Sequence, residues 1–282
     1  MARVVEYQKI VEEVAKACME ANYYLPEDVI KAYQEALKKE ISPLGKSILE
    51  ELLENAKVAS ENKMPVCQDT GTAVFYVIMG EEVEIKGGSL KKALNEGVRK
   101  GYKEGYLRKS IVKDPLRREN TGDNTPAIIH IELVEGDRFE IYFAPKGGGS
   151  ENQSAVRMMA PAAGRKGIID FAVERVKEGG ANACPPLILG IGIGGNFEYS
   201  AFLAKKALLT RNIGERNPDP YYAELELEIL KEVNKTGVGP AGYGGRITVI
   251  DVFIETYPCH IASMPVAINI QCNAARHKKI VF

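Results

Sequence analysis

Pro65-Val66-Cys67-Gln68-Asp69-Thr70-Gly71-Thr72 stands where the chain changes character. Upstream the pattern is helical. Val4, Val5, Ile10, Val11, Val14, Ala15 and Cys18 recur at the spacing of one helix face. A second helix is expected over Glu27–Lys39. Ser42-Pro43 then reads as an N-cap followed by proline at the first position of a third helix, which carries Ile48, Leu49, Leu52, Leu53 and Val58. Downstream, Ala73-Val74-Phe75-Tyr76-Val77-Ile78-Met79 is continuously apolar and β-rich, the pattern of a buried strand. The octapeptide itself gathers a thiol, an amide, a carboxylate and two hydroxyls around one glycine. A thiolate is a soft metal ligand, and the adjoining Gln and Asp can handle protons or oxygen atoms.

Farther along, Ser89 is expected to cap a helix over residues 90–106. Residues 127–134 and 138–143 read as two strands joined by Glu135-Gly136-Asp137 into a hairpin. Helices are expected at 166–177, 199–209 and 221–234, with a short strand at 187–193. Strands at 246–255 and 260–270 close the chain around Tyr257-Pro258. Glycine and proline cluster between the elements, at 146–150, 190–195 and 237–245, and such loops are where sites tend to sit. The expected fold is α+β: mixed β-sheets packed with helices, a helical N-terminal portion, and one unit over residues 1–282.

Composition narrows the function. Hydrophobic residues at 45% and charged residues at 27% match an ordinary globular protein. A net charge of −1 gives no field to draw nucleic acid or an anionic membrane. The absence of tryptophan argues against a carbohydrate binder or a membrane-interface protein. Met1-Ala2-Arg3-Val4-Val5-Glu6 turns acidic at once, so no signal peptide is expected, and no apolar run is long enough to span a bilayer. The expected setting is the cytoplasm. Five cysteines, an odd number without an export signal, argue against a disulfide framework.

The thiols are therefore buried hydrophobes, metal ligands or reactive groups. Cys18 lies on the apolar face of the first helix and suits the core; Cys259 is ambiguous. Cys67, Cys184 and Cys272 sit in Val-Cys-Gln-Asp, Ala-Cys-Pro-Pro and Gln-Cys-Asn-Ala, which look like element ends. No C-x-x-C pair occurs, so spacing alone carries no metal signal. Three scattered thiols beside acid/base groups suggest an iron–sulfur site acting on a substrate.

Two glycine runs compete for attention. Lys146-Gly147-Gly148-Gly149-Ser150 follows a strand and can turn backbone N–H groups toward an anion, but it lacks the Walker spacing; taken alone, it reads better as a tight strand-to-helix turn. Gly190-Ile191-Gly192-Ile193-Gly194-Gly195 satisfies G-x-G-x-x-G and makes a nicotinamide-dependent enzyme the main rival reading. Against it, Leu209-Thr210-Arg211-Asn212 offers no acid to hold a ribose. His130 reads as a packed or edge residue, His277 as solvated and His260, taken alone, as a structural residue. Arg108, Arg117 and Arg118 could hold a dicarboxylate, but residue type does not choose among them.

Five segments in fixed order carry a resemblance: Cys67-Gln68-Asp69-Thr70-Gly71-Thr72, the run Asn120-Thr121-Gly122-Asp123-Asn124-Thr125-Pro126-Ala127, Lys146-Gly147-Gly148-Gly149-Ser150, Ala183-Cys184-Pro185-Pro186 and Cys272-Asn273-Ala274-Ala275-Arg276. Together they resemble the class I, oxygen-sensitive iron–sulfur fumarases and the related L(+)-tartrate dehydratases, over nearly the whole chain. The likeness is to the N-terminal, cluster-binding part, which two-subunit members carry as a separate α chain, and this chain is expected to end where such an α chain ends.

The resemblance implies a [4Fe–4S] cluster held by Cys67, Cys184 and Cys272, with one iron open to act as a Lewis acid. It implies substrate-site roles for Gln68, Asp69, Arg108, Gly148, Gly149 and His260, with Asp69 and Gln68 as catalytic candidates. Cys259 departs from the pattern, so Cys272 is preferred as the third ligand. It further implies a small dicarboxylate substrate and a β subunit carrying the carbon base, within a heterotetramer built on a dimer of α chains. Fumarate hydration, a tricarboxylic acid cycle step, is the preferred reaction and tartrate dehydration the alternative. A non-catalytic cluster or scaffold subunit is a third reading.

Overall fold

The computed structural model describes residues 3–282. In chain order the first half runs β1 (Arg3–Glu6), α1 (Tyr7–Tyr23), α2 (Glu27–Lys39), α3 (Pro43–Asn62), β2 (Thr72–Gly80), β3 (Val83–Lys86), α4 (Leu90–Glu104), β4 (Ile128–Val134) and β5 (Phe139–Lys146). The second half runs α5 (Gly148–Glu151), β6 (Ala155–Met159), α6 (Gly164–Gly179), β7 (Leu187–Gly195), α7 (Phe197–Thr210), α8 (Pro220–Asn234), β8 (Val249–Cys259), β9 (Met264–Gln271) and β10 (Lys278–Val281). The fold is α+β, with helices packed on mixed sheets. No helix among the described residues is long and apolar enough to cross a membrane.

The chain divides into two compact units. The first comprises Met1–Leu25, Ala56–Gly148 and Arg276–Phe282. Its main sheet has the order β10-β5-β2-β4. The expected hairpin of β4 and β5 does not form, because β2 lies between them, parallel to β4 and antiparallel to β5. β2 is buried over nearly its whole length, so it takes a central place; β4 is at least partly exposed at every position and takes an edge. The turn at 135–137 instead arches over the end of β2, where the N–H of Gly80 donates to Arg138 O (2.7 Å) and that of Glu82 to Gly136 O (2.9 Å). Phe75, Val77, Phe139, Ile141 and Phe143 meet Ile10, Val14 and Cys18 of α1 and Leu94 and Val98 of α4 in one core. Val4 and Val5 belong to β1, paired with β3, and not to the first helix.

The second unit comprises Pro26–Asn55 and Gly149–Ala275. Its sheet runs β6-β9-β7-β8, with β7 parallel to β8 and antiparallel to β9. The glycine run of the rival nucleotide-turn reading is part of β7. A Cβ on Gly190 would lie 2.1 Å from Ala204 O, and one on Gly192 2.0 Å from Ser200 O. These glycines let α7 lie directly against the strand; they hold no phosphate loop. Tyr257-Pro258 also falls inside a strand, β8, so the reversal into β9 is made by residues 260–263.

Candidate functional site

In the first unit the loop 67–71 leaves α3 and enters β2 under close backbone control. Asp69 is its pivot: Oδ1 accepts the N–H of Gly71 (3.0 Å) and Oδ2 that of Gly148 (2.8 Å). Gly71 has φ +73, and a Cβ there would lie 2.7 Å from the backbone of Pro145 and Lys146, so only glycine fits. Tyr102, fully buried, donates its hydroxyl to Thr70 O (2.5 Å). Burial, followed by the nearby Cys18 thiol, pushes the Tyr102 phenol far up, so it stays a donor. Asn124 donates to Gly71 O (3.1 Å), and Arg276 donates to Asp69 O and to Asn22 Oδ1, each at 2.9 Å.

Cys67 and Gln68 ride on this loop. Cys67 is half-buried; its sulfur accepts the Asp69 N–H at 3.4 Å and lies 3.5 Å from Gln68 Oε1. Gln68 is exposed. Arg108 is tied to the same loop through its backbone, since Thr70 Oγ1 donates to Arg108 O at 2.8 Å. Its side chain is exposed and makes no ion pair among the described residues. One unit therefore holds Cys67, Gln68, Asp69, Arg108 and the Gly148 amide on a shared hydrogen-bonded frame.

In the second unit, the N–H of Asn273 donates to Cys184 O at 3.0 Å, so the two segments bearing Cys184 and Cys272 are bonded to each other. Cys184 is exposed and holds φ 56, ψ 71, a left-handed conformation unusual for a residue with a side chain. Cys272 is half-buried, with Gln271 Nε2 3.9 Å from its sulfur, and the Tyr33 hydroxyl donates to Asn273 O. His260 is exposed; its Nδ1 accepts the Ala262 N–H at 3.1 Å, which leaves the proton of the neutral ring on Nε2. It lines an open cleft of about 460 Å³ with Glu198, Tyr199, Tyr257 and Cys259. Gly149 also belongs to this unit. Cys18 is sealed in the first unit's core, where burial pushes its thiol far up, and it is excluded as a ligand.

The fumarate hydratase (Fumerase) model matches residues 11–281. This chain belongs to the fumarate hydratase (Fumerase) family. A Methanocaldococcus jannaschii protein provisionally named L(+)-tartrate dehydratase subunit alpha is 46% identical over 277 residues, 95% of each chain. The protein named L(+)-tartrate dehydratase subunit alpha in Escherichia coli strain K12 is 32% identical over 271 residues, 95% of this chain and 89% of that one. The chain is thus a hydro-lyase of the iron–sulfur fumarase family.

The family implies a four-iron cluster, and thiols of the kind this chain carries suit its ligands. Cys67 and Cys272 are half-buried and Cys184 is exposed, with an N–H group near the sulfur of both Cys67 and Cys272. Accessible thiols with N–H donors near sulfur suit ligands of an iron–sulfur group. Among the described residues no three His, Cys, Asp or Glu side chains are grouped to hold a single metal ion. The residues that sequence reasoning missed are the ones holding this loop: Asn22, Tyr102, Asn124 and Arg276. Asn124 and Arg276 stood inside quoted motifs; Asn22 and Tyr102 lay inside helices and gave no local signal.

Proposed function

We propose that this chain is the α subunit of a two-subunit hydro-lyase that removes water from a C4 hydroxydicarboxylate, with L(+)-tartrate as substrate. The carrying observation is similarity over 95% of this chain, at 46% and 32% identity, to chains named, one of them provisionally, as L(+)-tartrate dehydratase α subunits. It moves the reading from fumarate, preferred on the sequence alone, to tartrate. The family's own description as fumarate hydratase supports malate and fumarate as the second reading.

In this reading Cys67, Cys184 and Cys272 hold the [4Fe–4S] cluster, which when bound supplies Lewis acidity toward the substrate hydroxyl. The exposed Arg108 guanidinium grips one substrate carboxylate through paired N–H donors. Each Asp69 oxygen accepts one backbone N–H and keeps a second lone pair for a proton, so Asp69 delivers the proton that lets hydroxide leave as water. The Gly149 amide, Gln68 and the Nε2–H of His260 stabilise charge as it builds on the other carboxylate, while the Gly148 amide holds Asp69 in place. A separate β subunit supplies the carbon base and the remaining carboxylate contacts. A cytoplasmic setting, where thiols stay reduced, suits such a cluster.

The test is a rate comparison on L(+)-tartrate, L-malate and fumarate, using anaerobically prepared chain with and without its β partner. Turnover of tartrate ahead of malate, dependent on the partner, is expected. Full activity from the chain alone, or no hydro-lyase activity on any of the three, overturns the reading.

A further inference from the structure

Arg276 is the one buried arginine among the described residues, 2% exposed. Its Nη1 donates to Asn22 Oδ1 and its Nη2 to Asp69 O, while its Nε–H is buried with no acceptor. Both partners are neutral. Asp69 meets the guanidinium through its main-chain carbonyl, because its carboxylate is held by the Gly71 and Gly148 N–H groups. No Asp or Glu among the described residues stands in ion-pair range of Arg276. Elsewhere the chain gives its shielded guanidiniums an acid: Arg216 is forked onto Asp251, and Arg211 stands 3.4 Å from Glu226. A buried charge without a partner is costly. Two bonds to neutral oxygens do not require a permanent cation, since the NH2 of a neutral amide carries two donors. The charge itself therefore needs an explanation.

We propose that Arg276 is the fixed counter-charge of the cluster site, set beside Cys67 through the carbonyl of Asp69. The proposal rests on the reading of Cys67, Cys184 and Cys272 as cluster ligands. Arg276 ends the motif that begins at Cys272, and the carbonyl it holds lies two residues beyond Cys67. A cluster on three thiolates is an anion, and each added electron makes it more so. A positive charge in a water-poor interior acts on such an anion more strongly than one in solvent. A guanidinium keeps its proton, so this charge persists at every working pH. Net charge around a cluster helps set its reduction potential. Arg276 thus makes the cluster easier to reduce and harder to lose. It is a positioning residue and touches no substrate.

The test is the midpoint potential of the anaerobically reconstituted full-length chain, read by the electron paramagnetic resonance of the reduced cluster, together with the rate of iron loss to a chelator. Arg276→Met removes the charge; its midpoint is expected to shift negative and its iron loss to quicken roughly 10-fold or more. Arg276→Lys keeps the charge without the fork and is expected to stay near the wild-type potential. Asn22→Asp leaves Arg276 in place and supplies the missing carboxylate; it is expected to shift the midpoint negative as Arg276→Met does, and it decides the matter if the methionine variant misfolds. A residue that only braces the loop would lower the urea midpoint in the lysine and methionine variants alike and leave the potential of all three unchanged. That result overturns the counter-charge alone. A wild-type chain that takes up no iron and sulfide overturns the ligand reading, and the counter-charge with it.

Discussion

The backbone N–H of Asn273 donates to the carbonyl oxygen of Cys184 at 3.0 Å. This bond joins two thiol-bearing segments that lie far apart in the chain, one leaving the short turn at Ala181–Ala183 and the other leaving β9. Replacing Asn273 by proline removes the donor without touching a thiol. The expected loss is about 1 kcal/mol or more of stability, with iron retained less well after anaerobic reconstitution. Urea denaturation and an iron-to-chain ratio check both. An unchanged midpoint together with undiminished iron would show that the bond does not organise the two cysteines.

Asp69 makes a separate case, because its two carboxylate oxygens hold two different backbone N–H groups. Asp69→Asn keeps one acceptor and loses the other. Stability should fall by about 1–3 kcal/mol, and kcat by roughly 10²-fold or more if the carboxyl moves a proton in the reaction. Steady-state kinetics with the β partner present separates the roles: a scaffold residue would leave kcat near wild type in the assembled enzyme.

Glu40 links acid stability to the second unit. It is 1% exposed, and its carboxylate accepts the N–H groups of Ile41, Ser42, Arg246 and Ile247 at 2.7–3.0 Å. Burial raises its pKa, but the backbone donors of Ser42, Arg246, Ile247 and Ile41 outweigh burial and hold it below the ordinary glutamate value. A depressed folded pKa contributes stability that is complete above the unfolded value and lost as pH falls through the folded one. Glu40→Gln should therefore be less stable than wild type at pH 7, with the gap narrowing below about pH 4.3. Thermal melts from pH 7 to pH 3 measure it; a constant gap would refute the assignment.

Gly190 and Gly192 decide between packing and cofactor binding. Gly192→Ala forces a Cβ toward Ser200 O and Ala204 N, at 2.0 and 2.6 Å before relaxation. Overpacking of this kind costs about 1–3 kcal/mol, and the melting temperature should drop accordingly. Titration of the wild-type chain with NADH should show no saturable fluorescence change. Saturable NADH binding abolished by Gly192→Ala would restore the nicotinamide reading.

Local signals were legible in the sequence, and non-local pairings were not. α2 occupies Glu27–Lys39 as its pattern indicates, and Ser42 accepts the Gly45 N–H as an N-cap should. β4 and β5 were legible as strands, but their separation by β2 depends on which strand is apolar on both faces, a comparison no turn motif encodes. β1, β3, β6 and β10 were overlooked because each has only four or five residues and takes its order from a partner strand. His260 was assigned to a strand that begins only at Met264. The thiols show no metal spacing, so the order of five motifs was what pointed to a cluster. The loop around Asp69 explains why those motifs hold polar residues: Thr70, Asn124 and Arg276 are spent on fixing its backbone.

The most direct test of the central claim is cluster loading. Anaerobic reconstitution of the full-length chain should give a brown protein with about four irons and four sulfides per chain and an oxygen-labile absorbance in the visible. Cys67→Ser, Cys184→Ser and Cys272→Ser should each lower that content sharply, while Cys18→Ser and Cys259→Ser leave it unchanged. A cluster that assembles equally well in the triple variant lacking Cys67, Cys184 and Cys272 would contradict the account.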